Sequence, residues 1–201
     1  MKKKLLIVLG FISVIMTLAS CDNDDNSLYR VEKNESGEIA PVRCGIIIEG
    51  YARQKVDESD PVSVFFGKEL HSPYWDGFGN EFKTFFEQGE WNDESCLMIN
   101  SQQEFQAAYM GTKELPEVDF NQYTLVIGRT WSSDGSYVLD KTVLYNRDFT
   151  YELEAQFLHY LNGTAICSII RFYYWSLYPK LEPKEIILKR TVTDEYDLPE
   201  S

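Results

Sequence analysis

FTYELEAQFL, residues 149–158, alternates with a period of two: Tyr151, Leu153, Ala155 and Phe157 fall on one side, Glu152, Glu154 and Gln156 on the other. Such alternation reads as a strand with one buried and one solvated face. The SDG and NRD turn signals separate it from YTLVIGRTW (123–131) and SYVLDKTVLY (136–145) upstream. Downstream, Asn162 and Gly163 make a turn into AICSIIRFYYW (165–175), and KEIILKRTV (184–192) follows. Toward the N-terminus, RCGIII at 43–48 reads as a strand buried on both faces, VSVFF at 62–66 as a weaker one and CLMIN at 96–100 as another. The expectation is a mainly β (α+β) fold, an antiparallel sheet of about seven or eight strands forming a barrel or sandwich.

One or two short helices belong to the N-terminal half. Phe78, Phe82, Phe85 and Phe86 have helical spacing ahead of Gly89, which predicts a helix over 80–88. Ser101 and Glu104 stand in the relation of a capping box, which predicts a second helix over 102–110 ending at Gly111. No internal repeat points to a solenoid or propeller.

The chain opens with Lys2, Lys3 and Lys4, then an apolar run from Leu5 to Leu18 that is short for a membrane span, then LASC ending at Cys21. LASC resembles the lipobox of bacterial lipoproteins. The resemblance implies cleavage before Cys21, lipid on its thiol and amino group, and a multi-chain anchor that holds firmly in a membrane. DNDDNS follows, and Asp22, Asp24 and Asp25 resemble the surface-export signal behind the lipidated cysteine in lipoproteins of Bacteroidetes. That resemblance implies an outer-membrane lipoprotein facing the cell exterior; a solvated linker is the plain alternative. The expected organisation is a signal peptide over 1–20, a lipidated cysteine and acidic tether over 21–40, one β-rich domain over 41–193 and an acidic tail over 194–201.

Losing the leader's three lysines takes the formal charge from −13 to −16. Such a field repels phosphate, so nucleic acid is excluded as a partner. Of the four cysteines, Cys44, Cys96 and Cys167 remain after lipidation, enough for one internal bridge at most. Each sits in an apolar strand-like run, and buried thiols are the expectation.

Chemistry has little to work with. His71 and His159 show no metal-ligand spacing, so no metal or cofactor is expected, and the chain carries no GxSxG. His159 lies eight residues before Cys167 across a turn, but a strand-end histidine beside a buried thiol is the simpler reading. Glu152 and Glu154 lie about 7 Å apart by strand rise, close to glycosidase separations. A general acid needs one carboxyl desolvated, which a wholly polar face does not provide. No catalytic residue is assigned.

The aromatics form two clusters, Tyr74 to Trp91 and Phe172 to Tyr178. The helically spaced phenylalanines belong to a core. Consecutive strand residues point to opposite faces, so one of Tyr174 and Trp175 faces away from the core of a single sheet, while a second layer buries both. Trp75, Tyr174 and Trp175 are therefore the candidates for stacking on a glycan or small ligand.

Over 99–137 the order INSQQEF, LPEVDF, YTLVIGRTWSSDGSY resembles the C-terminal domain of the protease-complex subunit PrcB family and small Bacteroidetes lipoproteins. The matching positions are a helix cap, a turn and a buried strand. The resemblance implies a small β-rich, non-catalytic accessory domain that associates with another envelope protein, and it carries no functional residue across.

Overall fold

The computed structural model describes residues 37–48, 56–70, 81–86, 93–162 and 169–195. Two four-stranded sheets pack face to face without closing into a barrel. Sheet A contains β1 (Glu38–Ile39), β5 (Tyr137–Asn146), β6 (Thr150–Tyr160) and β8 (Glu185–Glu195) in the order β1-β5-β6-β8. Sheet B contains β2 (Arg43–Ile48), β3 (Ser95–Ile99), β4 (Tyr123–Ser132) and β7 (Ile170–Pro179) in the order β2-β7-β4-β3. The mainly β expectation holds, and of its two forms the sandwich is the one observed.

Strand β6 keeps the alternation read from its sequence, with Tyr151, Leu153, Ala155 and Phe157 buried and the residues between them half-exposed. Its neighbour β5 carries a bulge between Leu139 and Lys141. Leu139 and Leu144 are five apart, so strict alternation would send them to opposite faces; the extra residue lets both enter the core between the sheets. One pairing departs from the antiparallel expectation. Strand β8 lies parallel to β6, because the chain crosses to sheet B as β7 before returning.

A third, helical layer covers the other side of sheet B. VSVFF, expected as a strand, is helical: α1 (Pro61–Val64) runs directly into a π-helical turn, Phe65–Glu69. The decisive signal is the preceding Asp60-Pro61. The Asp60 carboxylate accepts from the Val62 and Ser63 amides, and proline at the first helical position has no N–H to satisfy. Arg43 of β2 donates to the same carboxylate at 2.6 Å, which ties this helix to the sheet. The helix expected over 80–88 is a 3-10 turn, Glu81–Phe85, with residues 87 and 88 outside the described residues.

Helix α2 (Gln102–Ala108) has the expected cap, with the Glu104 amide donating to Ser101 Oγ at 3.1 Å. The reciprocal bond runs from the Asn100 amide to Glu104 Oε2 at 2.7 Å, one residue upstream of a standard capping box. The helix stops before Gly111, since Tyr109 is already extended.

Both ends of the β domain extend beyond their expected limits. Strand β1 falls within the expected tether and pairs with β5; Gly37, at φ +76°, turns the chain into it. At the other end β8 continues through Asp194 and Glu195, two residues into the expected acidic tail. Among the described residues no helix is long and apolar enough to cross a membrane.

Candidate functional site

Cys21, the acidic trio Asp22, Asp24 and Asp25, Trp75 and His71 all lie outside the described residues. Tyr174 and Trp175 are described, and the reading of one of them as an outward stacking platform is corrected. Each is 2% exposed. Strand β7 has a packed layer on both sides: Tyr174 enters the core between the sheets and Trp175 enters the helical layer. Two-sided burial of this strand is why its run from Phe172 to Tyr178 is so apolar.

Tyr174 lies opposite Gly128 of β4, which in turn lies opposite Cys96 of β3. A Cβ at residue 128 would stand only 2.0 Å from the Tyr174 ring, so the phenol lies over the bare glycine backbone. Burial pushes the Tyr174 hydroxyl well above the usual phenol range and the Cys96 thiol up to about 12. Cys96 is a free, half-buried thiol with the character of a small hydrophobe, as expected. Cys44 is disulfide-bonded, which corrects the free-thiol expectation for that residue. Cys167 is outside the described residues.

The paired carboxylates of β6 are engaged on the outer face of sheet A. Glu152 meets Lys189 at 2.6 Å and Arg147 at 3.1 Å, and these bonds hold its carboxyl below the usual range. A general acid requires the opposite shift. Glu154 accepts from Thr191 Oγ1 at 2.7 Å and Gln156 Nε2 at 3.2 Å. His159 stacks on Tyr137, ring centres 4.2 Å apart, and its Nδ1 lies 3.0 Å from Asp194. The histidine thus joins the ends of β6 and β8.

An open groove of about 470 Å³ lies where the end of β3, the start of α2, the loop before β4 and the end of β7 converge. Lys180 crosses it and donates from Nζ to the carbonyls of Phe120 at 2.7 Å and Asn100 at 3.1 Å. Asp119 accepts from the Gln122 side chain and the Asn121 amide, which lower its pKa. Thr124 donates to Asn100 Oδ1 at 2.6 Å and accepts from the Leu181 amide at 3.0 Å. The surface therefore offers amide, hydroxyl and carboxylate groups beside Val118 and Phe120. No Trp or Tyr is among the residues lining it. Its chemistry is that of hydrogen bonding to a polar partner.

Residues between Asn100 and Asn121 supply most of this groove, while no local sequence pattern points to Lys180. That lysine lies 80 residues from Asn100 and 60 from Phe120, and it arrives only through the register of β7 with β4. At the same end, Phe149 caps the β5–β6 hairpin and is 89% exposed, a single apolar ring on a polar turn. Comparisons of the chain with family models, with curated proteins and with solved structures found no match to any of them.

Proposed function

We propose that this protein is a lipid-anchored envelope domain on the outer face of the outer membrane, acting as a non-catalytic accessory subunit that binds another envelope protein. The observation that carries the anchoring is the leader itself: three lysines, a short apolar run, and LASC ending at Cys21. The acidic mature chain supports the reading, because its charge keeps a tethered domain soluble and away from anionic headgroups.

The accessory role draws its support from the stretch 99–137. The residues that resemble the PrcB C-terminal domain are those that build the walls of the polar groove beside α2. A hydrogen-bonding groove that also presents Val118 and Phe120 suits the polar rim of a protein contact.

Detergent extraction of the tagged full chain from its own membranes, followed by mass spectrometry at low and high salt, tests both parts. A stoichiometric partner that survives high salt is expected, with lipid-modified Cys21 as the mature N-terminus. Recovery of the protein alone would overturn the accessory role, and an unmodified Cys21 would overturn the anchor.

A further inference from the structure

Strand β8 is the outer strand of sheet A, and among the described residues no strand pairs with its second edge. Residues 191–195 are all exposed, and Val192 is 48% exposed although it shares the core-facing parity of Ile186 and Leu188. An edge of this length presents unpaired N–H and C=O groups and is a template for another strand unless proline, a bulge or charged side chains without a complementary mate blunt it. β8 contains no proline, and its register with β6 runs without a shift from Glu185 to Glu195.

The charges of β8 are ordered for one particular mate. Lys189 and Arg190 precede Val192 by three and two residues; Asp194 and Glu195 follow it by two and three. An antiparallel copy related by a two-fold axis through Val192 sets Lys189 opposite Glu195 of the second copy and Arg190 opposite Asp194. Thr191 then meets Thr193, and Val192 meets itself. Moving the axis to Thr191 pairs no charges, and moving it to Arg190 sets Arg190 against itself and Glu185 against Glu195. Only residues of equal parity meet about Val192, so the core-facing sides of both sheets stay on the same side of the joined sheet.

Within the chain these charges are engaged on the inner side of β8: Arg190 donates to the Trp131 carbonyl at 2.8 Å and lies over the Phe157 ring, and two ion pairs reach back to β6. Lys189 holds Glu152 at 2.6 Å, and Asp194 lies 3.0 Å from His159. A second copy extends each pair into a short charge network and covers Val192.

We infer that a second copy of this chain pairs antiparallel along β8 about Val192, joining the two A sheets into one continuous sheet. The inference is independent of the accessory role, which concerns the opposite end of the sandwich.

Cross-linking and charge exchange on the full chain in detergent test it. Residues directly opposite in an antiparallel pair have Cβ atoms about 4.5–5.5 Å apart, so Val192→Cys is expected to give a disulfide-linked dimer on mild oxidation. Ile187→Cys, on the same strand but far from the axis, is expected to give no disulfide-linked dimer, and neither is the unsubstituted chain. In sedimentation experiments Lys189→Glu and Glu195→Lys each weaken the dimer about tenfold, and the double variant returns it to within about threefold. All four substituted positions are exposed, and thermal melting verifies that the variants fold. A monomeric native chain, cross-linking by Ile187→Cys in place of Val192→Cys, or a double variant as weak as either single variant would overturn the pairing.

Discussion

Sheet B is dry on both sides, but its two sides are filled by different chemistry. Toward the helical layer, rings meet rings: Phe66 is in contact range of Phe65, Phe82, Phe85, Phe105 and Trp175, and its stack on Trp175 has ring centres 5.1 Å apart. Toward sheet A, the aliphatic side chains Leu139, Leu144 and Leu153 meet Phe172, Tyr174 and Tyr178 of β7. The difference follows from what each side has for a cover. Two regular sheets interdigitate through alternating side chains across a constant gap, so leucines take turns with single rings such as Tyr151 and Phe157. Short helical turns present no such surface, and a few large rings bury the most area for each residue held in place.

Removing the central ring should therefore break the aromatic side more than any single aliphatic truncation breaks the other. Phe66→Ala is expected to cost about 4 kcal/mol, and Leu153→Ala about 3 kcal/mol. Urea denaturation of both variants measures this, and equal or reversed losses would mean that the aromatic layer is not organised around Phe66. Cys96 provides an internal probe of which side opens. Its thiol, pushed up to about 12, should resist alkylation in the native protein and remain protected in Phe66→Ala.

The next largest effect is expected on the sheet-A side, at the row formed by Cys96, Gly128 and Tyr174. Gly128→Ala forces a methyl group into the space of the Tyr174 ring, at an expected cost of about 1–3 kcal/mol. Because the displaced ring stands one strand from Cys96, alkylation of that thiol should accelerate. Unchanged protection of Cys96 would show that the ring can shift without opening the inter-sheet core.

A smaller loss is expected where the helical layer is pinned to the sheet. Asp60→Ala removes the cap of α1 and the acceptor of Arg43, and should cost about 1–2 kcal/mol. Asp60→Asn keeps a capping oxygen and should recover part of this. A loss as large as that of Phe66→Ala would shift the organising role from the ring to the cap.

The same contrast explains what the sequence made legible. The strands from β4 to β6 could be read because alternation and turn residues are local signals. The cap of α2 could be read because Ser101 and Glu104 are three residues apart. VSVFF departs from its expected strand because its β-branched and aromatic residues favour a strand, while the helix is set by Asp60 and Pro61 immediately before it. Tyr174 and Trp175 could not be placed without knowing that sheet B has a layer on each side. The parallel pairing of β8 and the arrival of Lys180 in the groove depend on contacts between distant segments, which no local pattern encodes. Cys21 and the acidic trio Asp22, Asp24 and Asp25 lie outside the described residues.

The outer face of sheet A is the third environment, wet where both sides of sheet B are dry, and the smallest effect belongs there. Lys189 and Arg147 hold the Glu152 carboxyl below its ordinary value of 4.5 in the folded protein. A carboxyl depressed by folding contributes stability that is fully present above its unfolded value and is lost as pH falls through its folded value. Thermal midpoints should therefore show no Glu152-dependent change from neutral pH down to about pH 5, and a decline below that. Glu152→Gln removes this contribution, so its melting curve should lie slightly below that of the native chain near neutrality and converge with it in acid. Both ion pairs are solvent-screened, which keeps the gap small and should shrink it further in high salt. A gap that widens as pH falls would show that Glu152 is not stabilised by its two cations, and that the outer face is organised by something other than this charge ladder.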